Sequence, residues 1–189
     1  LCTLREAIEA ANTNAPYGGC PAGRSAEADV IMLESGAVYA LTEVDNTSSD
    51  GPNGLPLVTS AMEIVVGDAA NRAVVRRAIS GDLRILRLSE TGTLTLRGIR
   101  IADGRTPSHG GGIRTDWGSV LALVDSMVIG NYAYGYGGGI YVSGGTVSLV
   151  NSSLMLNVAH TQGGGLGVQY GTVTVDRTVF AANTVSLGT

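Results

Sequence analysis

The sequence predicts an all-β fold: a parallel β-helix of about 26 residues per coil, with a short capping α-helix at the N-terminus. Three observations carry this reading. A triple glycine recurs at Gly110-Gly111-Gly112, Gly137-Gly138-Gly139 and Gly163-Gly164-Gly165, at spacings of 27 and 26 residues. A glycine followed by Ser or Thr opens an apolar-alternating run at Gly92, Gly118, Gly145 and Gly171. An asparagine returns in phase at Asn131, Asn157 and Asn183. A constant period of this length is the signature of stacked repeats.

Residues 3–13 read as an amphipathic helix. Thr3 and Glu6 have the spacing of a capping box, and Leu4, Ala7, Ile8 and Ala11 share one face. Asn12 to Pro16 ends it, and so short a helix must lie on an apolar surface such as the open end of a coil stack. A Gly/Pro/Ala loop carrying Cys20 completes a cap over residues 1–28. Residues 29–189 then form one solenoid. Asp29 to Leu33 and Val38 to Leu41 are strands joined at Gly36. Residues 42–60, with Asp45, Asp50, Pro52 and Pro56, read as a projecting loop. Met62 to Val66, Ala73 to Ile79 and Leu83 to Leu88 continue the strands.

From Leu83 the register is plain. Leu94 to Leu96, Val120 to Val124, Val147 to Leu149 and Val173 to Val175 alternate apolar and polar, as half-buried strands do. A second short run follows each, at Ile99 to Ile101, Met127 to Ile129, Leu154 to Leu156 and Val179-Phe180. A third follows each triple glycine, at Ile113, Ile140 to Val142 and Leu166 to Val168. Three strand types per period with no helix between them favour a coil, in which each strand pairs with its own copy one turn later. Coils then lie about 4.8 Å apart, so Asn131, Asn157 and Asn183 form a ladder of side-chain amides. The triple glycines mark a turn needing positive φ or close backbone approach. One coil cannot bury its own inner face, so neighbouring coils are required.

Composition narrows the class. Glycine is 28 of 189 residues, about twice the usual share. Apolar residues make up 44 % but aromatics 5 %, so the core is aliphatic. The net charge is −4, all 12 basic residues are arginine, and no basic stripe suits a nucleic-acid backbone. No apolar run is long enough for a membrane-spanning helix. The chain begins at Leu1 with no Met and no signal-like segment, as a processed or truncated chain would. Its two cysteines, Cys2 and Cys20, share one short segment. A disulfide between them would pin the helix, stabilise by about 3 kcal/mol and place the protein in an oxidising compartment. Two unrelated thiols are the alternative. No histidine lies near enough to suggest a metal site.

Cys2-Thr3-Leu4-Arg5-Glu6-Ala7-Ile8 resembles the Cys-Ser-Leu-Arg-Glu-Ala motif near the N-terminus of bacterial secreted β-helix proteins. Ala10-Ala11-Asn12, Asp29 to Leu33 and Asn53-Gly54-Leu55-Pro56 fit the same pattern. The later coils resemble the repeats of polymorphic outer-membrane proteins, which pair a Gly-Gly-Ala-Ile-like element with a Phe-x-x-Asn element. Gly111 to Ile113, Gly138 to Ile140 and Gly164 to Leu166 stand for the first. Phe180 to Asn183 matches the second in full, and Val128 to Asn131 and Leu154 to Asn157 match it with the Phe replaced. The resemblance covers nearly the whole chain. It implies a right-handed parallel β-helix, secreted or on a bacterial surface, and supplies no catalytic residues.

Parallel β-helices also host polysaccharide lyases and hydrolases, which makes an enzyme the rival reading. Arg84, Arg87, Arg97 and Arg100 are the candidate lyase bases, with Arg87/Arg97 and Arg84/Arg100 set on a strand pair. The structural alternative is a solvated face of outward arginines. A hydrolase needs clustered carboxylates, and Asp45, Asp50, Asp103 and Asp125 read instead as loop and turn residues. His109 and His160 fall two coils apart, too far to share a metal. Trp117, Tyr132, Tyr134, Tyr136 and Tyr141 concentrate the aromatics, either as a sugar- or partner-binding patch or as tyrosines beside glycine turns. The expected function is a non-catalytic extracellular module: adhesin, stalk or structural element, with protein subunits or surface glycans as partners and no cofactor. The chain stops at Thr189 after a full coil, so either more sequence follows or copies stack end to end into a filament.

Overall fold

Alternating side chains and left-handed corners wind this chain into a parallel β-solenoid capped by one helix. The structure, a computed structural model, describes residues 1–24 and 26–186; the expected end of the last coil at Thr189 lies outside them. The helix α1 spans Leu4–Thr13. Thr3 and Glu6 complete the capping box, and Asn14 closes the other end in the left-handed conformation. Cys2 and Cys20 form a disulfide with Cα atoms 4.8 Å apart, which fixes the loop against the start of the helix.

Four parallel sheets enclose the core. The first stacks Asp29–Leu33, Ala61–Val66, Thr93–Arg97, Val120–Val124, Thr146–Val150 and Thr172–Asp176. The second stacks Val38–Leu41, Ala73–Arg77, Ile99–Ala102, Met127–Ile129, Ser153–Met155 and Val179–Ala181. The third holds two-residue strands: Arg105–Thr106, Tyr132–Ala133, Val158–Ala159 and Thr184–Val185. The fourth stacks Leu86–Leu88, Ile113–Thr115, Ile140–Ser143 and Leu166–Gln169. Sequence periodicity gave three strands per coil because two residues are too few to display alternation.

Register is strict, so like sits on like. Leu94, Leu121, Val147 and Val173 form one inward column, and Ile101, Val128, Leu154 and Phe180 another. A continuous apolar core runs from Leu4, Ile8 and Ala11 of α1 through to Leu154. The residues of the N-terminal motif clamp the helix to this stack. The Arg5 guanidinium donates to the Gly54 carbonyl at 3.0 Å, the Asn12 amide donates to the Leu57 carbonyl at 2.8 Å, and the Asn12 amide oxygen accepts the Thr59 N–H at 2.9 Å.

Corners carry the polar residues of the interior. At the corner between the second and third sheets, Asp103, Gly130, Leu156 and Ala182 all take positive φ. After the last three of these an asparagine turns inward. Asn131 and Asn157 are fully buried. Asn131 Nδ2 donates to Asn157 Oδ1 at 2.9 Å, and Asn157 Nδ2 to Asn183 Oδ1 at 3.0 Å. The same oxygens accept backbone N–H groups from the previous coil: Gly104 on Asn131 at 2.8 Å, Asn131 on Asn157 at 3.0 Å and Asn157 on Asn183 at 3.1 Å. Sequence reading missed a second column of this kind. Ile99 N–H donates to Ser126 Oγ at 3.1 Å, Ser126 N–H to Ser152 Oγ at 3.1 Å and Ser152 N–H to Thr178 Oγ1 at 3.2 Å. The triple glycines turn where expected. Gly110, Gly137 and Gly163 have positive φ, and a Cβ on Gly138 would lie 2.3 Å from the Val158 carbonyl oxygen.

Replacing Asn157 by Ala strands buried donors and acceptors in three successive coils. Each unsatisfied group costs about 1–3 kcal/mol, so the loss should exceed that for Asn183→Ala, which sits at a partly exposed coil. Urea unfolding at constant m-value measures both; equal losses would contradict the ladder's role.

Candidate functional site

The most chemically equipped region is the outer face of the fourth sheet, and the 42–60 segment builds part of it. This segment is not a projecting loop. Asn46–Ser48 and Gly51–Asn53 pair as an antiparallel hairpin turning at Ser49-Asp50. Gly51 at φ 108° permits that turn. Residues 53–58 then run beside 84–88, through parallel bridges Asn53–Arg84 and Val58–Leu88.

Arg84 fastens the hairpin. It is fully buried, which corrects the outward, solvated placement expected of it. Its guanidinium donates to Asn53 Oδ1 at 2.6 Å, the Asp50 carbonyl at 3.0 Å, Thr106 Oγ1 at 3.2 Å, the His109 carbonyl at 3.0 Å and the Gly110 carbonyl at 3.0 Å. All of these are neutral oxygens. Burial, reinforced by the positive charges of Arg114 and Arg87, lowers its pKa to about 9, so the side chain stays charged at neutral pH.

The remaining candidate arginines do not form the expected pairs, because they lie on different sheets. Arg97, on the first sheet, pairs with Glu63 at 3.0 Å, and Arg100 faces solvent from the second. Arg87 belongs to the fourth sheet and stacks in register on Arg114, then Tyr141, then Gly167. Two carboxylates bridge the arginines. Arg87 contacts Asp116 at 2.8 Å and Asp50 at 3.7 Å; Arg114 contacts Asp116 at 2.9 Å and Asp50 at 3.3 Å. The sequence showed no carboxylate cluster, yet folding brings Asp50 and Asp116 onto the same two cations.

Beside this network stands an aromatic stack. His109 lies 5.0 Å from Tyr136 and 4.7 Å from Tyr141, centroid to centroid, and the two tyrosine rings are stacked at 6.2 Å. The Tyr136 backbone N–H donates to His109 Nδ1 at 2.9 Å, and Arg114 sits 5.6 Å from the centre of the Tyr141 ring. Burial holds the His109 pKa below its usual value; Arg114 and Arg84 push the same way, against Asp50. Burial raises the Tyr141 pKa, against the influence of Arg114. An open cleft of about 340 Å³ continues from the stack, lined by Tyr136, Tyr141, Gln162, Leu166, Gly167 and Gln169 among others. The Tyr141 phenol donates to Gln169 Oε1.

The five aromatics read as one patch divide into three groups. Tyr136 and Tyr141 face the cleft. Tyr132 and Tyr134 meet edge to face at 5.0 Å with Arg105 over both rings at 5.3 Å, and Tyr134 is also 6.2 Å from His160. Trp117 instead approaches Tyr170 at 6.4 Å. Spacing in the sequence misled here because the chain turns at Gly137 from the third sheet, which carries Tyr132, to the fourth, which carries Tyr141, and Trp117 follows the fourth-sheet strand of the coil before. Arg114, Asp116, Gln162 and Gln169 went unread. Arg87, Arg114 and Tyr141 do recur at 27-residue steps, which is the signal that could have placed them in one column. Asp50 reaches the site through a hairpin that no periodicity announces.

No family model matches the chain, and neither a curated protein nor a solved structure matches it.

Arg84→Leu should leave the carbonyls of Asp50, His109 and Gly110 dry, at a cost on the order of 3 kcal/mol. Hydrogen exchange should show the hairpin amides losing protection while the strands from 120 to 176 keep theirs. Arg84→Lys should not rescue them, because an ammonium cannot span this fan of oxygens. His109 gives a pH test. Its folded pKa lies below the unfolded value near 6.5, so the unfolded chain binds the proton more readily. Its contribution to stability is therefore complete above about pH 6.5 and is lost as the pH falls toward the folded pKa. His109→Asn keeps an acceptor for the Tyr136 N–H and should flatten the denaturation midpoint across that window.

Proposed function

We propose that this chain is a non-catalytic β-solenoid module of a secreted or cell-surface protein, presenting a rigid face to a partner as an adhesin or stalk element does. The observation carrying this reading is the mutual pairing of the charged groups on the fourth sheet. A general base needs a free lone pair within reach of substrate. Asp116 accepts hydrogen bonds from Arg87 and Arg114, and Asp50 is held in ion pairs with the same two arginines. Arg84, the cation with the most strongly displaced pKa, is sealed beneath the hairpin and holds carbonyls. The arginines that a lyase would need as bases are fixed in structural bonds or stand apart on other sheets.

Two further features support an extracellular role. The Cys2–Cys20 disulfide suits an oxidising compartment. Among the described residues no helix is long and apolar enough to cross a membrane, which is compatible with export. A parallel stack also suits a stalk, because each coil adds length without altering the faces of the others.

Incubation with polygalacturonate, alginate and hyaluronan tests the absence of catalysis. No unsaturated product should absorb at any pH between 5 and 9 (roughly the range in which carboxylates and arginines stay charged). Product that forms with the native chain and disappears in Arg87→Ala would establish the lyase instead.

A further inference from the structure

We infer that the cleft beside Tyr136 and Tyr141 is a binding site for a neutral pyranose of an extracellular glycan, a reading that builds on the non-catalytic surface role and gives it a ligand class. The repeat breaks at this cleft. The outward column that carries Arg87, Arg114 and Tyr141 continues to Gly167, where no side chain follows. The backbone requires that absence, since a Cβ on Gly167 would lie 2.8 Å from the Gly137 nitrogen. A hollow therefore opens next to the aromatic stack, in the one column position where earlier coils place large side chains.

The lining specifies the chemistry. Tyr141 is 4 % exposed and acts as floor, held by His109 on one side and by its bond to Gln169. Tyr136 is half-buried and forms a wall, its backbone tied to His109 and its ring parallel to Tyr141 within 21°. Gln162 pairs with Tyr136 across adjacent coils and stands exposed at the rim, as does Gln169. An aromatic face with a polar tip beside planar amides matches a pyranose, which offers an apolar C–H face and a ring of hydroxyls. Among the described residues, no acidic or basic side chain lines the cleft. Arg114, 5.6 Å from the centre of the Tyr141 ring, lies outside the lining and is paired with Asp50 and Asp116, which it shares with Arg87. An ionic ligand such as a uronate would find no counter-charge among the described lining residues, whereas a neutral sugar leaves no charge unpaired. The cleft's volume of about 340 Å³ lies at the small end of ligand sites and suits one or two sugar units.

Calorimetric titration with cellotetraose, maltotetraose, laminaritetraose, mannotetraose and chitotetraose, against tetragalacturonate, tests the assignment. At least one neutral tetrasaccharide should bind with Kd below about 1 mM and more tightly than tetragalacturonate. Tyr136→Ala removes the wall but keeps the N–H on His109, and should weaken binding by about tenfold or more. Tyr136→Phe should retain it. Gln162→Ala, at an exposed position that folding does not depend on, should weaken it several-fold, and Tyr134→Ala in the neighbouring aromatic group should have no effect. Failure of all five neutral sugars, preference for tetragalacturonate, or indifference to both Tyr136→Ala and Gln162→Ala would overturn the proposal. Cleavage is read separately from product absorbance. Neutral-sugar binding with or without turnover supports the cleft; turnover without it overturns the cleft and the non-catalytic reading together.

Discussion

A chain that turns a corner inside a solenoid points backbone N–H groups at a neighbour that is no longer a strand. Those groups are buried, water cannot reach them, and leaving them unpaired costs more than most single contacts return. The described coils solve this with one polar side chain at each of two corners. Asn131, Asn157 and Asn183 accept backbone N–H groups from the coil before and donate along their own column, while Ser126, Ser152 and Thr178, a few residues earlier, accept such N–H groups and donate to backbone carbonyls. The geometry works at only one stacking register. The ladders therefore fix the register, and the register fixes every outward column.

That dependence decides which side chains meet on the outer wall. A side chain on the outer wall has as neighbours the residues 26 or 27 positions away, so a face is composed column by column. The fourth sheet stacks arginine on arginine on tyrosine and then stops at Gly167. Two like charges in adjacent coils would repel, and the stack tolerates them because Asp50 and Asp116 lie between their guanidinium groups. Asp116 comes from the same coil as Arg114. Asp50 is delivered by the hairpin, an addition to the repeat rather than part of it.

The sequence made the periodic part legible and left the inserted part dark. Helix α1 could be read from Thr3, Glu6 and its apolar spacing, and the asparagine ladder from three residues in phase, because each is a pattern repeated within a short window. The corner hydroxyls share that phase, but Ser and Thr are common enough that Ser126, Ser152 and Thr178 in step draw no notice. The hairpin at Asn46–Asn53 has no alternation, two of its strand residues being Gly51 and Pro52, so it resembles a loop. Arg84 looks like any surface arginine. Its burial follows from the hairpin covering it, which is a tertiary event with no local trace. The aromatic grouping failed for the opposite reason: residues close in the chain read as close on one face, whereas the corner at Gly137 carries them onto different sheets and stacking brings together residues a coil apart, such as His109 and Tyr141.

The absence of lysine fits the way the charged groups are used. Arg84 spans oxygens from the hairpin, the third sheet and the first glycine corner at once, and Arg5 does the same between α1 and residues 43–54. A planar fork of donors can hold several carbonyls in fixed directions, while an ammonium on a flexible stem holds them poorly. These arginines act as rivets joining non-repeating segments to a repeating wall, where no ladder exists to align the two. A rivet must be saturated to be stable, and a saturated guanidinium has nothing left for chemistry. Arg87 and Arg114 are held by Asp116 on the same wall, and one coil along the column passes to uncharged tyrosines and glutamines around Gly167, where the wall is hollow.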